Sequence, residues 1–145
     1  MSSPCPQCGA TFPDSGVSCA DRFATLLALD HSRREPWGSR HGLAFAAYTL
    51  QHPEAIPDEQ LERCWAALHR VYVAGDSYSR VFEALRQRPP ARLADWGVPP
   101  LPPTPVQPQY SVTLADLGDF DAQHYAADLD RWCHAVLNAW ETVSP

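Results

Sequence analysis

Lysine is absent from this 145-residue chain, so each of its 11 positive charges is an arginine, set against 17 acidic residues. The formal net charge is −6. Proteins that grip a nucleic-acid backbone draw most of their affinity from clustered cations. The densest cationic stretch here, Arg33, Arg34 and Arg40, is interrupted by Glu35. Nucleic acid is therefore not an expected partner. No stretch approaches the ~20 apolar residues of a membrane span. The N-terminus also lacks the basic start and apolar run of a secretory leader. The expectation is a cytoplasmic chain with no membrane partner. A Gly-rich phosphate loop, a nucleophile motif and paired acid–base spacing are missing too, which leans away from an enzyme.

Cysteine and proline are present in number. Five cysteines are an odd count, and in a reducing compartment they argue against a disulfide framework. The first two stand in Cys5-Pro-Gln-Cys8-Gly, with no strand-like run ahead of them that would suit a thioredoxin-type pair. Two thiolates at this spacing can share one ion, and Gly9 lets the chain turn so that backbone N–H groups face the sulfurs. The motif reads as a zinc knuckle. A closed site needs four ligands, and Cys19 is the third: it lies just inside a helix start with Ser18 as N-cap and Asp21 as the acidic partner of a capping box. Cys64 and Cys133 fall on or beside apolar helix faces and are expected to be small buried hydrophobes.

The fourth ligand follows from helix geometry. Residues 18–31, SCADRFATLLALDH, predict a helix carrying Cys19, Phe23, Leu26, Leu27 and Asp30 on one side. Residues 39–52, SRHGLAFAAYTLQH, predict a second helix that starts at Ser39 and stops at Pro53. The short linker makes the pair antiparallel, so the end of the second helix meets the beginning of the first. That selects His52 beside Cys19. His41 is carried roughly 16 Å away at 1.5 Å per residue, too far to share the ion. The expected metal set is Cys5, Cys8, Cys19 and His52 around Zn²⁺, with His41 and then His31 as ranked alternatives for the fourth place. His41 itself is either a surface residue or part of a second polar site with Asp30, His31, His124 or His134.

Further along, PDEQLERCWAALHRVYVA at 57–74 predicts a third helix with Leu61, Trp65, Leu68 and Tyr72 as its stripe, ended by Gly75. Asp76 is expected to cap a fourth, DSYSRVFEALRQR, with Tyr78, Val81, Phe82 and Leu85 inward. Residues 89–108 hold eight of the 15 prolines and predict an extended strap that tucks Leu93, Trp96 and Val98 against the helices. Thr113 and Asp116 read as a capped short turn. Asp121 opens a last helix whose Tyr125, Leu129, Trp132, Val136, Leu137 and Trp140 recur at helical spacing. The fold class is mainly α: a single helical bundle-like domain with an N-terminal zinc knuckle and a Pro-rich extended strap before the last helix. Its parts are a knuckle arm at 1–17, four helices over 18–88, the strap at 89–112, and the capped turn and C-terminal helix at 113–145.

Taken in order, CPQCGA, CADRFATLLALD, HGLAFAAYTLQHP, a Pro-rich passage and WCHAVLNAW resemble an uncharacterised bacterial family of small cytoplasmic proteins along nearly the full length. The most specific part is YTLQHP following the knuckle. The resemblance implies an N-terminal metal knuckle and no particular activity. It also implies an acidic residue just before Tyr48, where this chain has Ala46 and Ala47. The function expected is a non-catalytic adaptor or regulator with a structural Cys3His zinc and a protein partner. The alternatives are a metal-dependent enzyme, with an open zinc site or a second site near His41, and a thiol-based zinc or redox sensor.

Overall fold

The structure is a computed structural model that describes residues 4–13, 16–89, 91–105 and 110–142. Five α-helices make up half of the described residues: α1 Cys19–His31, α2 His41–Gln51, α3 Asp58–Tyr72, α4 Tyr78–Gln87 and α5 Tyr125–Glu141. Among the described residues, no helix is long and apolar enough to cross a membrane.

Helix α1 begins where its capping box dictates. The Asp21 N–H donates to Ser18 Oγ at 3.1 Å, and the Ser18 N–H donates to Asp21 Oδ2 at 3.0 Å. Two otherwise orphaned donors are satisfied reciprocally. The buried face of α1 holds Cys19, Phe23, Leu26 and Asp30. Helix α2 starts at His41 rather than Ser39, because Gly38–Arg40 winds first into a tighter 3-10 turn. His52 is its C-cap, with φ −130° and ψ 61°, and Pro53 cannot continue the helix.

Two further expected helix starts are corrected. Asp76 does not cap α4; its carboxylate accepts from Arg70 Nε at 2.7 Å, and Ser77 occupies the cap position without a side-chain hydrogen bond. Only Val81 of α4 is buried. Tyr78, Phe82 and Leu85 are half-buried, so this helix leaves a groove along its inner side. Helix α5 starts at Tyr125 rather than Asp121, because Asp121 is spent on a turn in which its carboxylate accepts from His124 Nδ1 at 2.6 Å. The expected end of that helix at Val143, and residues 90 and 106–109 of the Pro-rich stretch, lie outside the described residues. Within that stretch the regular part is a 3-10 turn at Leu93–Trp96, and Leu93 and Val98 are buried. Thr113 and Asp116 form a capping box over a 3-10 turn at Leu114–Leu117.

The core is aromatic, with Trp65, Trp132, Trp140, Tyr125 and Phe120 fully buried. A buried indole N–H needs an acceptor. Trp140 finds the Leu50 carbonyl at 3.0 Å, and Trp132 finds Gln51 Oε1 at 2.9 Å. Gln51 is itself fully buried and donates through Nε2 to the Val112 carbonyl at 2.9 Å. Helix α5 and the 110–112 segment are thus both anchored on the last turn of α2, immediately before His52. These bonds tie the end of α2 to two other parts of the chain.

Candidate metal centre

Three separate pieces of chain converge at the N-terminal end of α1. The first is the knuckle. The Gly9 N–H donates to the Cys5 carbonyl and the Cys5 N–H to the Ala10 carbonyl, both at 2.8 Å, and Gly9 takes φ 82°, which suits glycine. The second is the first residue of α1, Cys19. The third is the C-cap of α2, His52. Gln7, between the two knuckle cysteines, ties the arm to the chain beyond His52 by accepting from the Glu54 N–H at 2.9 Å.

Cys5, Cys8, Cys19 and His52 each offer one ligand atom, and these four atoms lie within 4.8 Å of one another. Cys8 Sγ and Cys19 Sγ are 3.6 Å apart. Two sulfurs at ~2.3 Å from a tetrahedral ion stand about 3.8 Å from each other, so the observed edge is close to that of a zinc–thiolate tetrahedron. The imidazole is oriented for the same task. His52 Nδ1 donates to the Tyr48 carbonyl at 2.9 Å, which leaves Nε2 buried and without a partner among the described residues. A carbonyl on one ring nitrogen sets the tautomer that presents the other as a ligand. Tyr48 also stacks on His52 with ring centroids 4.2 Å apart, and Phe23 covers its other face at 3.9 Å. The ring therefore has little freedom to turn.

Protons are shared unevenly within the group. Hydrogen bonding from the Cys19 thiol lowers Cys8 to about 4, against the opposing effect of burial. The same contact, together with burial, pushes Cys19 well above the ordinary thiol range. Burial disfavours charge on His52, but the Cys8 sulfur and the Tyr48 carbonyl outweigh it and raise the imidazole above its usual 6.5. Without metal, the Cys8–Cys19 pair therefore retains a proton between its sulfurs and His52 protonates more readily, and an ion must displace these protons. Affinity for a divalent ion should rise with pH and fall as pH drops below the raised His52 value. A competition titration against a chromogenic chelator between about pH 5 and 8 checks this, and a flat profile would contradict it.

The remaining histidines and cysteines are placed elsewhere. His41 and His31 stay out of the sulfur cluster, at the other end of α2 from His52. His41 Nδ1 lies 2.9 Å from Asp30 Oδ2, and the His31 ring is 5.4 Å from the His41 ring. His124 and His134 do not join them, correcting that expectation: His124 pairs with Asp121, and His134 packs on Tyr72 at 4.8 Å. Cys64 and Cys133 are buried, and burial raises both thiols to about 12. Neither is near the knuckle group. The sequence reading passed over Tyr48 and Gln51 as parts of the site's support. A signal for Tyr48 existed: a histidine at a helix C-cap sits four residues beyond a carbonyl of the last turn, which here accepts both the His52 backbone N–H at 3.0 Å and its ring Nδ1 at 2.9 Å.

Residues 3–141 match the family of unknown function DUF5946. The chain belongs to that family. No curated protein and no solved structure matches it. What this DUF5946 chain contributes to that description is the cluster itself, three sulfurs and an imidazole drawn from the arm, the start of α1 and the end of α2.

Proposed function

We propose that Cys5, Cys8, Cys19 and His52 hold one zinc ion in a closed tetrahedral site, and that the protein works as a non-catalytic adaptor or regulator through contacts with another protein. The observation that carries the reading is a ring nitrogen of His52 within 4.8 Å of three sulfurs, with Nε2 buried and without a partner among the described residues. A thiolate-rich tetrahedral set suits zinc among the common ions, and four protein ligands leave no coordination position for a substrate. The ion's role is structural: residues 4–13 bury only Cys8, Ala10 and Phe12, too little apolar surface to hold the arm in place without a cross-link.

An open site, as a metal-dependent enzyme requires, differs in one measurable respect. Cobalt substituted for zinc should give the spectrum of a four-coordinate S3N site with no exchangeable water. Loss of one ligand to solvent, or a spectrum that responds to added anions, would favour the enzyme reading instead. The ligand assignment has its own test. His52→Ala should weaken zinc binding far more than His41→Ala, measured side by side by chelator competition. The reverse order would mean that His52 is not a ligand.

A further inference from the structure

At the opposite end of α2 from the sulfur cluster, an open groove of about 1040 Å³ runs between α2, α3 and α4. His41 stands at its edge with a side chain 40% exposed, while the carboxylate that holds its Nδ1 is fully covered. Asp30 Oδ1 is buried and has no partner among the described residues. Covering a carboxylate costs several kcal/mol unless a partner compensates. Among the described residues, the hydrogen-bond partner of the Asp30 carboxylate is His41 Nδ1. With Nδ1 as the donor in that bond, the tautomer leaves Nε2 as the acceptor of the ring.

The walls next to His41 are aromatic: Phe45 on α2, and Tyr78 and Phe82 on α4. Phe45 is one of the two large hydrophobic residues left exposed among the described residues. Gly42 makes the close approach possible, because the Phe82 ring stands 2.7 Å from where a Cβ on residue 42 would be. The rim carries both signs of charge. Glu59 and Arg63 on α3 pair with each other at 2.8 Å, and Glu83 and Arg86 lie on α4. A rim of mixed sign attracts neither anions nor cations by its net field.

We propose that this groove binds a small uncharged aromatic molecule carrying a hydroxyl or ring N–H, with His41 Nε2 accepting its proton in a hydrogen bond and Asp30 acting as the positioning residue. Each element of that ligand answers a feature of the site. Flat aromatic walls take an aromatic body. An acceptor held by a buried carboxylate demands a donor. The balanced rim selects a neutral molecule. The volume is at the upper end of ordinary ligand pockets, so it admits more than one ring. Because His41 lies eleven residues from His52, the groove and the zinc site can fail independently.

Phenol and its methyl ether, anisole, separate donor recognition from mere apolar burial. In zinc-loaded full-length protein, phenol should produce saturable shifts at the His41 imidazole nitrogens, seen in ¹⁵N spectra, and bind about tenfold more tightly than anisole, as one ordinary hydrogen bond gives. His41→Gln should bring phenol down to the anisole level with zinc content and helicity unchanged. Asp30→Asn should alter the His41 tautomer in the same spectra. Equal binding of anisole and phenol to the unaltered protein, undiminished phenol binding in His41→Gln, or no shift at His41 would each overturn the proposal.

Discussion

Cys8→Ser is expected to abolish stoichiometric zinc binding while leaving most of the helix content in place. A serine hydroxyl does not ionise at neutral pH, so the substitution removes a ligand outright. The loss should far exceed the roughly 10–100-fold that follows removal of an outer-shell partner. Helicity should survive because Cys8, Ala10, Phe12 and Cys19 form a small cluster separate from the main core, which is built from α1, α2, α3 and α5 around the buried tryptophans. Elemental analysis with far-ultraviolet circular dichroism reads both halves. A Cys8→Ser protein that kept one zinc per chain would remove Cys8 from the ligand set. A protein that unfolded completely would mean that the arm contributes to the main core.

Gln51→Leu is expected to cost about 2–4 kcal/mol of folding stability. Gln51 is fully buried, accepts from the Trp132 indole and donates to the Val112 carbonyl, both at 2.9 Å. Leucine is apolar and satisfies neither, which leaves the buried Trp132 indole N–H unpaired at about 1–3 kcal/mol and the half-buried Val112 carbonyl unpaired at a smaller cost of about 1 kcal/mol. Urea unfolding at fixed zinc checks the figure, and a loss under about 1 kcal/mol would show that the two orphaned groups find other partners. Because the same turn of α2 ends in His52, the variant should also loosen the metal site. Zinc affinity in Gln51→Leu should fall, though by less than in Cys8→Ser.

The amino-acid pattern disclosed elements whose signals are local. Ser18 and Asp21 announced the start of α1, Pro53 its neighbour's end, and Thr113 with Asp116 the turn before α5. The four residues chosen from spacing and an antiparallel pair of helices are the four whose ligand atoms meet. An eleven-residue helix with a fixed rise leaves its two histidines at opposite ends, and only one of them can reach Cys19. The two misplaced caps have a common cause. Asp76 and Asp121 both have the chemistry of an N-cap, but each found a better partner nearby, Arg70 in one case and His124 in the other. A capping propensity says what a side chain can do, and an adjacent donor decides what it does.

Long-range pairings were the hardest to read. Gln51 looks like an ordinary polar residue in a helix, and nothing local says that Trp132, 81 positions away, needs its oxygen. The Asp30–His41 pair was half visible, because Asp30 falls on the inward side of α1 and the helix pairing brings His41 to that end. The groove beside it was not visible, since it exists only because α4 buries Val81 and holds its other apolar residues half out.

Anomalous scattering at the zinc absorption edge, from crystals of protein purified without added metal, tests the central claim most directly. The account predicts one peak per chain, about 2.3 Å from the sulfurs of Cys5, Cys8 and Cys19 and about 2.0 Å from Nε2 of His52, with no fifth ligand. A map with no peak at the junction of α1, α2 and the N-terminal arm, or a peak bound by other residues, would contradict it.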